Sequence, residues 1–113
     1  MSPELQRTLA RLTIGMIEYM NDGDSGDTED DVDRCRSILV THAGTIEKAA
    51  DQTSALAAVE ATVLSLNHLN EQAGGSLIET DQREDICEFI ITAGVQRGFN
   101  APGDDITEPW REW

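Results

Sequence analysis

Positive charge is what this sequence of 113 residues lacks most: it contains eight lysines and arginines, and Lys48 is the single lysine. The 22 aspartates and glutamates outnumber them and give a formal net charge of −14 at pH 7. Such a field repels phosphate groups and anionic lipid, and it attracts basic protein surfaces within about 8 Å at physiological salt. We therefore expect no direct nucleic-acid ligand and no membrane binding, and we expect a basic protein as the favoured class of partner.

Long apolar runs are missing as well. No run approaches the roughly 18 residues that span a bilayer, and the start MSPELQRTLARL has no apolar core of a signal peptide. With 39% hydrophobic and 27% charged residues, the composition is typical of a globular domain rather than a disordered chain. The sequence therefore predicts a cytoplasmic protein.

Motifs for metal binding and catalysis are also missing. Cys35 and Cys87 lie far apart without a CxxC pair, and His42 and His68 do not have the spacing of zinc ligands. Both cysteines fall on apolar helix faces, which is typical of core thiols in a reducing compartment. His42 lies on an apolar face too, and no glycine-rich phosphate loop, HExxH or GxSxG motif is present. We therefore expect neither an enzyme nor a bound metal or cofactor.

The stretch NDGDSGDTEDDVD, residues 21–33, is rich in acids and contains no base. Its spacing does not fit a calcium-binding EF-hand loop. A loop that starts at Asp22 has Asp27 where the pattern needs glycine, and one that starts at Asn21 has Val32 where the bidentate glutamate belongs. We interpret the stretch as a solvated charge run whose last acids, residues 29–31, lie in the first turn of a second helix.

Helical periodicity accounts for most of the chain. Residues 2–4, Ser-Pro-Glu, have the pattern of a helix start, and an apolar stripe then continues to about residue 20. The second helix is expected to end near Gly44, where Thr45 could cap a restart. A long third helix, with an apolar arc over more than half its circumference, is expected to stop at residues 74–75. The candidate caps at its start are Asp51, Thr53 and Ser54.

A fourth helix follows and is expected to end near Gly98, with Thr80 or Asp81 as its cap and with Asp81 and Glu84 as the expected capping box. The last residues contain two prolines and are expected to form a non-helical arm that docks on its own domain through Trp110 and Trp113. The sequence thus predicts an all-α compact bundle of four or five helices with a central long helix. Residues 1–98 form a single helical domain in this interpretation, and residues 99–113 form the C-terminal arm.

Polar residues also fall on apolar helix faces around the turn between the third and fourth helices. On a helical wheel, Asn67 and Asn70 lie within the apolar arc of the third helix, and Arg83 lies on the apolar side of the fourth. Because buried polar groups need partners, we expect a hydrogen-bonded network of these residues. The candidate carboxylates are Glu71, Glu79 and Glu84. The network either sets the angle of the helical hairpin or forms a small polar pocket in which Arg83 holds an anion.

Three functional hypotheses follow. The first is a non-enzymatic module whose acidic face binds a basic protein, with a second acidic patch at residues 79–88. The residues of this face are Asp27, Glu29, Asp30, Asp31 and Asp33. In size and charge the chain is similar to small acidic helical proteins that neutralise basic nucleases or imitate the charge of DNA, although it shares no motif with them. The alternatives are a ligand-binding domain or enzyme that uses the pocket around Asn67, Asn70 and Arg83, and a helical homodimer with Ile14 in its interface.

Overall fold

The protein is a bundle of four helices in a computed structural model that describes residues 1–22 and 27–113. The helices are α1 (Pro3–Asp22), α2 (Glu29–Lys48), α3 (Gln52–Gln72) and α4 (Thr80–Gln96), and the described residues include no strand. The all-α prediction is confirmed. None of the four described helices combines the length and apolar character needed to cross a membrane. The part of the acidic loop on which the EF-hand comparison depends, residues 23–26, lies outside the described residues.

The first two helices begin at side-chain caps. The Ser2 hydroxyl accepts a hydrogen bond from the Leu5 amide at 3.2 Å, as expected for the start of α1. At the start of α2, the Thr28 hydroxyl accepts from the Asp31 amide, and the Asp31 carboxylate accepts from the Thr28 amide at 3.1 Å. This reciprocal capping box places residues 29–31 in the first turn of α2, as predicted.

The remaining two helices begin differently from each other. Asp51 caps α3, since its carboxylate accepts from the Ser54 amide at 2.8 Å. The predicted capping box of Asp81 and Glu84 is wrong, because α4 begins at Thr80 and its N-cap residue is Glu79. Asp81 is therefore already inside the first turn, where its charge favours the helix N-terminus but its side chain cannot act as the cap.

The predicted end of α2 near Gly44 is wrong, because the helix continues to Lys48. The hydroxyl of Thr45 donates to the Thr41 carbonyl one turn earlier at 3.0 Å, so it does not cap a new helix. Glycine inside a helix costs only about 1 kcal/mol, which burial of neighbouring side chains such as Ile46 offsets. The end of α2 is held by Arg97, whose guanidinium donates to the carbonyls of Ile46, Glu47 and Ala49.

Glycines end α3 and α4 where the sequence predicts. Gly74 and Gly75 have φ angles of 90° and 86°, and the Gly75 amide donates to the Asn70 carbonyl at 2.8 Å. Gly98 has a φ of 74° after α4, beside Phe99, whose amide donates to the Gly94 carbonyl. These left-handed conformations are accessible to glycine at little steric cost and satisfy the last carbonyl groups of each helix.

The helices pack in antiparallel pairs. The start of α1 lies beside the end of α4, where the Gln96 side chain donates to the Ser2 hydroxyl. The end of α1 lies beside the start of α4, where the Tyr19 hydroxyl is 3.5 Å from the Glu79 carboxylate. Helices α2 and α3 form the second pair, and α2, not α3, closely contacts all three other helices. Consequently the N-terminal ends of α2 and α4 lie at the same end of the bundle as the C-terminal ends of α1 and α3.

The core combines aliphatic side chains from all four helices with Phe89 of α4, which is fully buried. Cys35 and Cys87 are buried as free thiols, as predicted, and burial raises the pKa of Cys35 to about 12. On α3 the apolar arc is wider than the face that the bundle covers, so Leu56 and Leu64 remain exposed. The non-helical residues after α4 pack against the core through four side chains: Phe99, Ile106, Trp110 and Trp113.

Candidate functional site

The two asparagines predicted on the apolar face of α3 are buried, but both bind backbone groups. The Asn67 amide nitrogen donates to the Trp110 carbonyl at 2.7 Å, and its oxygen accepts from the Glu112 amide at 3.1 Å. The Asn70 oxygen accepts from the Ile78 amide at 2.9 Å. Because a side-chain amide offers both a donor and an acceptor, it can pair with a peptide segment as another backbone would. Asn67 therefore holds the C-terminal residues, and Asn70 holds the connection between α3 and α4.

The other members of the expected network do not join the asparagines. Arg83 is half-buried, and its guanidinium makes no hydrogen bond or ion pair with another described residue, so the predicted network across this turn is wrong. Glu79 is oriented towards Tyr19 of α1, whereas Glu71 and Glu84 are exposed. The physical reason is that nearby backbone amides and carbonyls already satisfy the asparagines, and the long arginine stem can lie on the apolar surface while its charge reaches water.

The acidic residues predicted as a binding face surround the start of α2. Asp31 takes part in the capping box, and Asp27 accepts a hydrogen bond from the Ser76 hydroxyl at 3.3 Å. Glu29, Asp30 and Asp33 are exposed. The positive end of the α2 dipole favours negative charge here, which explains how these carboxylates can lie so close together. Local capping thus uses part of this cluster, and the exposed members remain accessible to a partner.

The antiparallel packing brings other carboxylates to the same end of the bundle. We call this surface the acidic end. It comprises Asp22, Asp27, Glu29, Asp30, Asp31, Asp33, Glu71, Glu79, Asp81 and Glu84. The contacts from Tyr19 to Glu79 and from Ser76 to Asp27 tie its four helix ends together. Sequence reasoning treated residues 22–33 and 79–88 as separate patches, and only the pairing of α1 with α4 shows that they adjoin.

Three of the eight lysines and arginines are engaged away from the acidic end. Arg11 forms ion pairs with Asp85 at 2.8 Å and with Glu88 on α4, and Arg111 pairs with Asp105 at 3.1 Å. Arg97 caps α2 at the opposite end of the bundle. Within the described helices, the bases near the acidic end are Arg34 and Arg83. The carboxylates of this surface therefore have few internal counter-charges.

The two histidines differ in environment, as the sequence predicts. His42 is 2% exposed, and its Nδ1 lies 2.7 Å from the Thr62 hydroxyl. Burial lowers the pKa of His42 to about 4, so the ring is neutral at pH 7. His68 is exposed on α3. His42 is thus a core residue that pairs with a neighbouring helix, and no group of three or more metal-ligating side chains occurs in the described parts of the chain.

Sequence reasoning missed a polar cluster that holds the C-terminal residues against α4. Thr107 is fully buried, with its hydroxyl 3.4 Å from the Cys87 sulfur. Arg111 donates to that sulfur at 3.1 Å and to Asp105 at 3.1 Å. Burial opposes the charge of Asp105, yet hydrogen bonds from Thr107 and the charge of Arg111 lower the pKa of the carboxyl below its usual value. No spacing signal could reveal this cluster, because its members come from two separate segments.

No family model matches the sequence, and no curated protein or solved structure matches it significantly. Of the predicted site residues, the structure assigns Asn67 and Asn70 to internal backbone contacts and leaves Arg83 outside a network. The candidate residues that remain exposed at the acidic end are Glu29, Asp30, Asp33, Glu71 and Glu84.

Proposed function

We propose that this protein is a non-enzymatic binding module whose acidic end engages a basic surface of a partner protein. The observation that carries the proposal is the antiparallel packing that joins the carboxylates at the starts of α2 and α4 into one surface. Two clusters that are about 50 residues apart in sequence can then act on the same partner. We place this binding in the cytoplasm, where the two free thiols would stay reduced.

The electrostatics of the acidic end support this function. The axes of packed helices lie about 8–10 Å apart, close to the Debye length at physiological salt, so the fields of carboxylates on adjoining helices overlap. Since few described bases neutralise them, a partner's lysines and arginines would supply the missing counter-charge. Surface charge of one sign raises association rates with an oppositely charged partner and makes binding sensitive to salt.

The pocket hypothesis receives less support from the same geometry. A pocket around Asn67 and Asn70 needs side-chain amides that can reach a ligand, and both amides bind the protein's own backbone. The homodimer hypothesis keeps one specific observation, because Ile14 is 57% exposed on α1. Light scattering coupled to size-exclusion chromatography tests it: a dimer that Ile14→Ser dissociates would support this second candidate, and a monomeric wild type would contradict it.

The decisive experiment neutralises the two clusters separately. One variant carries Asp30→Asn and Asp33→Asn on α2, and a second carries Asp81→Asn and Glu84→Gln on α4. A control variant carries Glu4→Gln and Glu60→Gln, which remove the same charge away from the acidic end. The tagged proteins are incubated with extracts of the source cells at about 50 mM and about 300 mM salt, and bound proteins are identified by mass spectrometry.

We expect wild type and the control variant to retain the same basic protein at low salt and to lose it at high salt. Both acidic-end variants should retain less of it, because each removes part of one surface. Retention that is equal in all four proteins would contradict the proposed function. Loss in only one acidic-end variant would show that the two clusters do not act together.

A further inference from the structure

A groove between α1 and α4 opens at the acidic end. Its volume is about 860 Å³, within the range of roughly 300–1,000 Å³ that is typical of ligand sites. Ile14 and Tyr19 contribute apolar surface, and both side chains are exposed. Near the acidic end, the groove is lined by four carboxylates: Glu18, Asp22, Asp81 and Glu84. The groove therefore combines an apolar wall with a negative rim, a chemistry that suits a long cationic side chain.

A buried amide without a partner lies in the same groove. Gln82 lines it and is 7% exposed, and its Oε1 is buried with no hydrogen-bond partner. Buried side-chain oxygens in folded proteins nearly always accept a hydrogen bond, so this one calls for a donor. A half-turn of the terminal amide exchanges its oxygen and nitrogen and presents the oxygen where the nitrogen now lies.

Gly15 faces that amide without a side chain of its own. The Gln82 Nε2 lies 3.6 Å from the position that a Cβ atom would take at Gly15, so the missing side chain makes room directly over the amide. Glu18 lies one turn further along the same face of α1. An incoming donor at this point would meet the Gln82 amide and a carboxylate together.

The opposite end of the groove is lined by two of the chain's own arginines, Arg7 and Arg11. Arg11 of α1 crosses to α4 and pairs there with Asp85, at 2.8 Å, and with Glu88. From Gly15 towards Asp22, by contrast, the described residues that line the groove include acids and no arginine or lysine. Carboxylates of α4 thus bind the Arg11 guanidinium at the end of the groove away from the acidic end. Near the acidic end, Asp81 and Glu84 of α4 also line the groove, but no arginine or lysine of the described chain lines it there.

We propose that this groove binds an arginine side chain of the basic partner, an inference that rests on the proposed function and identifies the residue type recognised. After the half-turn that brings the Gln82 oxygen towards Gly15, the guanidinium donates to that oxygen and to Glu18 or Asp81, while its stem packs on Ile14 and Tyr19. Arginine fits better than lysine because its planar fork of five donors can reach an amide oxygen and a carboxylate at once. The Tyr19 ring can also stack against a guanidinium.

The test compares two methyl groups added inside helices. Gly15→Ala places a methyl group over the Gln82 amide at an ordinary contact distance, whereas Gly44→Ala places one in open space on α2. The probes are fluorescein-labelled hexa-arginine and hexa-lysine peptides, measured by fluorescence anisotropy at about 50 mM salt. We expect wild type and Gly44→Ala to prefer hexa-arginine, and Gly15→Ala to bind it about tenfold more weakly, as for one lost charge-assisted hydrogen bond.

A second variant and a spectroscopic signal keep the result independent of stability. Gln82→Met keeps the length of the side chain but removes the amide, so we expect it to bind the two peptides with equal affinity. In wild type, hexa-arginine should shift the side-chain NH₂ resonances of Gln82 in ¹⁵N-labelled protein more than hexa-lysine does. An unfolded variant would be recognised by the loss of its dispersed backbone spectrum. In that case the shift of the Gln82 side-chain resonances in wild type tests the proposal by itself.

The outcomes separate this inference from the proposed function. If Gly15→Ala, Gly44→Ala and wild type bind hexa-arginine equally, while the double variant Asp30→Asn, Asp33→Asn binds it more weakly, the proposal that the groove binds arginine is contradicted. The proposed function of the acidic end is then still supported. Equal affinity of wild type for both peptides, or a Gln82 resonance that does not shift, would also contradict the proposal that the groove binds arginine. If wild type binds neither peptide, both proposals are overturned.

Discussion

Asn67 on α3 and Trp110 near the C-terminus are joined by a hydrogen bond of 2.7 Å from the asparagine amide to the tryptophan carbonyl. A second hydrogen bond, from the Glu112 amide to the Asn67 oxygen, completes the pairing. One side chain thus serves as a backbone-like partner for a segment 43 residues later in the chain. The end of the chain is held on α3 by this residue and on α4 by Thr107 and Arg111.

Replacement of Asn67 should destabilise the protein. Asn67→Ala leaves a peptide carbonyl and an amide without their partner in a partly buried place, which typically costs about 1–3 kcal/mol. Urea unfolding followed by far-ultraviolet circular dichroism measures the loss, and tryptophan fluorescence reports release of Trp110. The matched control is His68→Ala on the exposed side of α3, which should stay within about 0.5 kcal/mol of wild type. Equal stability of the two variants would contradict the assigned role of Asn67.

Replacement of Arg83 should have little effect on stability. Because the Arg83 guanidinium makes no hydrogen bond or ion pair with another described residue, Arg83→Ala removes only packing of the side-chain stem. We expect a change of less than about 0.5 kcal/mol in the free energy of unfolding. A loss several times larger, measured by urea unfolding, would restore the buried network that the sequence suggested.

The protein should become less stable as pH is lowered from 7 towards 4, because His42 is buried in its neutral form. Its pKa in the folded protein is lowered by burial to about 4, below the ordinary value of 6.5, so the unfolded chain binds the proton more tightly. The stabilisation is fully present above pH 6.5 and is lost as pH falls towards 4, by roughly 3 kcal/mol in total.

Urea unfolding at intervals between pH 7 and pH 4.5 measures this effect. His42→Gln should have a flatter dependence on pH than wild type, whereas His68→Gln, on the exposed side of α3, should retain the wild-type slope. Identical slopes for wild type and His42→Gln would show that carboxylates alone cause the acid sensitivity. The comparison between the two histidine variants is needed because carboxyl groups ordinarily titrate within this pH range, and the chain contains 22 aspartates and glutamates.

Two helical glycines should respond in opposite directions to the same substitution. Gly44→Ala adds a methyl group where nothing lies within 4 Å and should stabilise the protein by about 0.5–1 kcal/mol, because alanine favours the helix. Gly94→Ala would overlap the Asn100 amide, which donates to the Ile91 carbonyl at 3.1 Å. It should destabilise the protein by about 1–3 kcal/mol. Thermal unfolding of both variants checks the pair, and a stabilising Gly94→Ala would contradict the packing described here.

The predictions that succeeded concern short-range features. The caps by Ser2 and Asp51, the glycine stops after α3 and α4, and burial of the two cysteines depend on residues within a few positions of one another. The capping box of Asp81 and Glu84 failed locally, because α4 begins at Thr80, whereas the other failures needed knowledge of distant segments. Gly44 does not end α2, whose actual end is held by Arg97 from a distant segment. The expected network of Asn67 with Arg83 failed because the asparagine's partners arrive from the C-terminus.

The sequence by itself determined that the chain is helical, which face of most helices is buried, and that the surface is strongly acidic. Periodicity, capping and charge are local or summed properties, and they can be read without coordinates. Only the tertiary structure decided that the acids of α2 and α4 share one end, and that the Gln82 amide lies beside Gly15 in a groove rimmed by carboxylates. Such juxtapositions depend on the order and direction in which helices pack, because packing alone brings together side chains that are far apart in the chain.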